Sequence, residues 1–112
     1  MDKLNQYNMH DAKILSFTIE KLRNYFSINI EVVLFDGENI NIRFNDIENY
    51  RIDVGNIGQY ILEIDVYKCC TKGNNKIYEF KLHGDDGVIN IESKNIAVKK
   101  IRKGIKKYLF KK

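Results

Sequence analysis

Along most of the chain apolar side chains recur at every second position, the period that puts one row of a half-exposed β-strand on a buried face. Leu15, Phe17 and Ile19 form the first such row, and Phe26, Ile28, Ile30, Val32 and Leu34 form a longer second one. After the Asp36-Gly37 turn, Ile40, Ile42 and Phe44 alternate with Asn41, Arg43 and Asn45, the clearest hairpin signal in the chain. The period returns in Tyr50, Ile52 and Val54, in Tyr60, Leu62, Ile64 and Val66, in Tyr78, Phe80 and Leu82, and in Ile89 and Ile91. Seven strands are predicted, with an eighth at Ile96 to Val98.

The breaks between these rows fall at "FDGEN" (35–39), "VGNIG" (54–58), "KGNN" (72–75) and "HGDDG" (83–87). Gly, Asn and Asp make turns where the chain has no proline, because they tolerate the backbone dihedrals a reversal needs. Short turns between successive strands predict a mainly β fold, a single antiparallel sandwich or partly open barrel of 7–8 strands. The C-terminus departs from this period. In "IAVKKIRKGIKKYLFKK", Ile101, Ile105, Tyr108 and Leu109 recur at helical spacing, which predicts a short amphipathic helix from about Lys100 onward.

Length places all of this in one domain, since 112 residues suit a single core. We read residues 1–112 as a β body over 1–98 followed by a basic helix or tail over 99–112. A hydrophobic content of 44% against 30% charged residues supports a packed core and argues against disorder. Charge divides the chain unevenly: residues 99–112 hold eight Lys and Arg and no acid, so residues 1–98 carry 11 minus 15, or −4. The net +4 therefore belongs to the tail, whose Arg102, Lys103, Lys106 and Lys107 are candidates for contact with an acidic partner or nucleic acid. The expected arrangement docks the apolar stripe on the sheet and leaves the lysines solvated. No apolar run approaches the roughly 18 residues that span a bilayer, and "MDKLNQYNMH" lacks the apolar segment of a secretory signal, so a cytoplasmic location is expected.

Candidate chemistry is sparse. The stretch "NMHDAKILSFTIE" (8–20) sets His10 and Asp11 before the first strand, and His with a carboxylate is the minimal unit for acid-base or metal chemistry. Neighbours in an extended chain point to opposite faces, so the two serve one ion only if the backbone turns between them. The expectation is that Asp11 hydrogen-bonds backbone amides at the turn into the strand. His83, Asp85 and Asp86 of "LHGDDG" offer one nitrogen and several oxygens, although Gly84 and Gly87 mark the same segment as a hairpin loop. Were the fold to gather His10, Asp11, His83 and the loop carboxylates, a site of two His and one carboxylate would exist. The adjacent Cys69 and Cys70 cannot staple distant parts of the chain, nor do they complete a zinc motif, and inert thiols are expected. No nucleophile elbow, phosphate loop or His-Glu-x-x-His appears, so the expectation is no enzyme and no cofactor.

Taken together, "MHDAKILSFTIE", "LFDGENINIRFNDIENYRIDV" and "DDGVINIESKNIAV" resemble small bacterial proteins that begin with a Leu/Met-His-Asp-Ser/Ala segment, a likeness over roughly residues 9 to 98. Some of those are encoded beside polymorphic toxins and are regarded as immunity proteins. The resemblance implies a cytoplasmic antidote that blocks a toxin by binding it. From the residues themselves, Tyr25, Phe35, Ile61 and Tyr67 fall on the outward phase of their strands, where a partner or a second layer would cover them. A protein-binding module is the leading expectation. Nucleic-acid binding through the tail is the alternative, and a small metal-binding protein using His10, His83 and Asp85 is the third.

Overall fold

The computed structural model describes residues 3–23, 25–54, 62–84 and 87–101, with the side chains of Leu22 and Tyr25 left aside. Six strands are described: β1 (Lys13–Leu22), β2 (Tyr25–Val33), β3 (Asn39–Val54), β4 (Leu62–Lys72), β5 (Asn75–Leu82) and β6 (Gly87–Ile101). They form one antiparallel sheet closed into a barrel in the order β1-β2-β3-β6-β5-β4. The described residues contain no helix. The mainly β fold is as expected, and the barrel is closed where a sandwich or partly open barrel was expected.

The strand count is lower than the periodicity implies because two pairs of predicted strands are continuous. The rows ending at Phe44 and beginning at Tyr50 belong to one strand, which runs through Asn45 and Asp46 to Val54, with Asp46 in the left-handed region at φ 52°. The buried hydroxyl of Ser93 on β6 lies between the carbonyl oxygens of Asn45 and Asn95, and the Asn95 amide donates to the Asp46 carboxylate at 2.9 Å. These side chains satisfy the bend, so both β3 and β6 coil past it while staying paired. Ile89 and Ile91 join Ile96 and Val98 in β6 for the same reason.

The inward row of β2 (Ile28, Ile30, Val32) packs against Ile40, Ile42 and Phe44 of β3, Tyr78, Phe80 and Leu82 of β5, and Ile89 and Ile91 of β6. Phe44 sits at the centre, edge-on to Tyr78 at 5.3 Å and to Phe80 at 6.3 Å between ring centroids. Leu4, Met9 and Ala12, which precede the first strand, are also buried in this core. Burying one such aliphatic side chain completely contributes about 1.5–3 kcal/mol, so the inward rows dominate the energetics.

Two bulges shift the phase of strands whose simple alternation predicts otherwise. Between Ile14 and Ser16 the β1–β2 register slips, so Ile14 packs on the core while Leu15 is exposed. The slip between Ile64 and Val66 turns Val66 outward and carries Tyr67 to the inner side, where its ring lies 5.1 Å from Phe80. The expected inward Leu15 and Val66, and the expected outward Tyr67, are each corrected by one extra residue. Ile19 keeps its inward phase opposite Ile28 but is exposed, because it stands where the barrel opens.

At the β4–β5 hairpin, Gly73 at φ 61° occupies the first position of a two-residue loop between the paired Lys72 and Asn75. Gly87, at φ 126°, starts β6, and a side chain there would collide with the backbone carbonyl of Asp53. The expected C-terminal helix does not begin at Lys100: Lys100 and Ile101 are the last residues of β6, paired with Ile40 and Asn39. Lys100 also reaches Glu38 at 3.0 Å. The remainder of the predicted helix, including Ile105, Tyr108, Leu109, Arg102, Lys103, Lys106 and Lys107, lies outside the described residues. So do Tyr60 and Ile61, the Tyr25 side chain, and Asp85 and Asp86.

Candidate functional site

The barrel closes where β1 meets β4, a seam of two register pairs, Lys13 with Glu63 and Ile14 with Leu62. Just before β1 the chain extends this seam, as the Asp11 N–H donates to the Ile64 carbonyl and the Ile64 N–H to the Ala12 carbonyl, both at 2.8 Å. On the other side of β4, the His83 N–H donates to the Glu63 carbonyl. Three backbone segments therefore run side by side. Ile64 and Leu82 point into the core, so their neighbours Glu63 and His83 point outward together.

Asp11 joins them because the backbone turns where the sequence requires it to turn. Asp11 is left-handed at φ 67°, a conformation that Asp adopts more readily than most residues, and the His10 N–H is held by the Asn8 side chain at 3.1 Å. This reversal brings His10 and Asp11 to one side, which an extended chain would forbid. The Asp11 carboxylate then accepts a hydrogen bond from His83 Nε2 at 3.0 Å, where the sequence reading placed it on backbone amides. Glu63 Oε1 lies 3.9 Å from the same nitrogen, and His10 Nε2 lies 3.6 Å from Asp11 Oδ2. Donor atoms of Asp11, Glu63 and His83 all fall within 4.8 Å of one another. The His10 and His83 rings are 6.0 Å apart.

His10 is oriented from behind. Its Nδ1 is 2.8 Å from the Asp65 carbonyl oxygen, which can only accept, so Nδ1 carries the proton of the neutral ring and Nε2, facing Asp11, is the atom that gains or loses the second one. That backbone contact, then the charge of Asp11 and of the Asp65 carboxylate, raises the His10 pKa above its ordinary 6.5. All four side chains remain partly exposed, from 38% for Asp11 to 58% for His10, so solvent and ions reach them freely. The arrangement offers two imidazoles and two carboxylates, suited to holding a cation or a shared proton.

Of the residues singled out by sequence, His10, Asp11 and His83 are thus brought together. Glu63 and Asp65 were missed: in "LEIDV" they occupy the polar phase of an apolar strand, and acids two apart on one strand face are the signal that would have found them. Phe35 is 78% exposed at the β2–β3 turn, and Tyr67 is half-buried inside the barrel. Cys69 is half-buried and Cys70 exposed on β4.

A second feature lies where the barrel opens. The β2–β3 pairing ends at Ile28 and Phe44, whereas β3 continues to Val54 alongside β6. Beyond the last described β2–β3 pair Phe26 meets Tyr50, with ring centroids 5.3 Å apart, and Ile19 stands on the same inner phase, two strands from Tyr50. Ile19 and Tyr50 are each 44% exposed. Among the described residues no helix is long and apolar enough to cross a membrane. Comparison with protein-family models, with curated proteins and with solved structures finds no match to this chain.

Proposed function

We propose that the chain is a non-enzymatic, protein-binding module, and that its specific role is that of a bacterial cytoplasmic immunity protein which neutralises a toxin by direct contact. The observation that carries the binding reading is the apolar surface of Ile19, Phe26 and Tyr50 at the flared end of the barrel. Aromatic and aliphatic side chains partly exposed to water gain free energy when a partner covers them. The immunity role is supported by the likeness of the His-Asp segment and the strands that follow it to proteins of that kind.

The test is association with a toxin domain encoded next to the gene for this chain, followed by calorimetry and by rescue of growth. The Ile19→Asp/Tyr50→Asp variant is expected to weaken binding by on the order of 2 kcal/mol, roughly thirtyfold in Kd, while losing some thermal stability with the Phe26–Tyr50 contact yet staying folded at the assay temperature. Full rescue by that variant would refute the surface. Binding to nucleic acid that falls steeply with salt would favour the alternative carried by the basic C-terminal segment.

A further inference from the structure

We propose that His10, Asp11, Glu63 and His83 bind one divalent transition-metal ion, zinc being the ion their chemistry favours, and that the ion staples the seam at which the barrel closes. The inference draws on different residues from the partner surface and stands independently of it.

Spacing is the first support. Zinc bonds to nitrogen and oxygen at about 2.0–2.1 Å, which in a tetrahedral arrangement sets donors roughly 3.3 Å apart. The separations from His83 Nε2 to Asp11 (3.0 Å) and Glu63 (3.9 Å) bracket that value, and donor atoms of these three residues already stand within 4.8 Å of one another; His10, 3.6 Å from Asp11 but outside that group, joins as the fourth ligand by swinging its ring toward His83. His83 needs only to move its ring proton from Nε2 to Nδ1, which frees the Nε2 lone pair without changing its charge.

The second support is independent of spacing. A histidine that ligates metal almost always donates its other ring N–H to a carbonyl or carboxylate, which fixes tautomer and ring direction. His10 already has this arrangement, with Nδ1 donating to the Asp65 carbonyl and Nε2 turned toward the cluster. Two imidazoles also select against magnesium and calcium, which prefer all-oxygen shells.

The location supplies the consequence. The donors come from the segment before β1, from β4 and from the end of β5, the three stretches whose alignment closes the barrel. An ion shared by all three links them, and metal binding restricted to the folded state adds to folding stability.

The experiment uses the tag-free full chain, stripped of metal and titrated with zinc chloride at neutral pH by calorimetry and thermal melting. One ion per chain and a melting temperature that rises with zinc concentration are expected. His83→Ala and His10→Ala should each weaken binding by more than the roughly 10–100-fold that loss of an outer hydrogen-bond partner costs. Glu63→Gln, which keeps the side-chain shape, guards against a folding defect and should weaken binding while melting like the wild type without metal. Cys70→Ser should bind as the wild type does. Absence of zinc binding, binding that survives His10→Ala/His83→Ala, loss of binding in Cys70→Ser, or preference for magnesium would each overturn the proposal.

Discussion

A single backbone dihedral at Asp11 decides whether the His-Asp pair can act as a unit. At φ 67° the two side chains share a side, and the Asp65 carbonyl then fixes His10. With its folded pKa raised, protonated His10 stabilises the fold below the unfolded value of 6.5, and this contribution disappears as pH rises through the folded pKa. In metal-free buffer, the imidazole resonances of His10 should titrate with a midpoint above 6.5. Asp11→Asn should lower the midpoint yet leave it above 6.5, because the larger influence is the Asp65 carbonyl. A midpoint unmoved by this change would show that the Asp11 charge does not reach the ring. That His10 and Asp11 were candidates was legible in the sequence. The meeting of Asp11 with His83, 72 residues away, was not, because it depends on strand neighbours that local pattern does not specify.

At the scale of the strand, alternation identifies rows correctly until an extra residue intervenes. Ile30, on the uninterrupted β2, is buried as its phase predicts, whereas Leu15, which its phase also places inward, is exposed by the bulge in β1. The two positions therefore make a paired test. Ile30→Asp should cost on the order of 4 kcal/mol by placing an unpaired charge in the core, and Leu15→Asp less than about 1 kcal/mol. Equal losses in chemical denaturation would mean that the bulge does not turn Leu15 to solvent. The strand count has a similar origin. The rows Ile40 to Phe44 and Tyr50 to Val54 read as two strands, but Ser93 and Asn95 on the neighbouring strand satisfy the polar groups at Asn45-Asp46 and carry one strand through.

For the whole molecule, closure rests on its shortest pairing. The β1–β4 seam has two register pairs and the flanking bonds of Asp11 and Ile64, while β3 and β6 pair almost along their full length. Local opening follows the number of cooperating bonds, so the seam should open well before the sheet centre. Native-state hydrogen exchange should show the amides of Asp11 and Ile64 exchanging faster than those of Ile42 and Phe44, and protection at the seam equal to that of β3 would contradict this ranking. The sequence by itself determined the mainly β class, the inward rows of β2, β3 and β5, and the turns at Asp36-Gly37 and Gly73, because period-two burial and dihedral tolerance are local properties. Only the tertiary structure decided the closed barrel, the continuity of β3 and β6, the bulges that reverse Leu15, Val66 and Tyr67, and the gathering of His10, Asp11, Glu63 and His83. Each of these depends on which distant strand lies alongside, and that choice is made by the fit of the whole core.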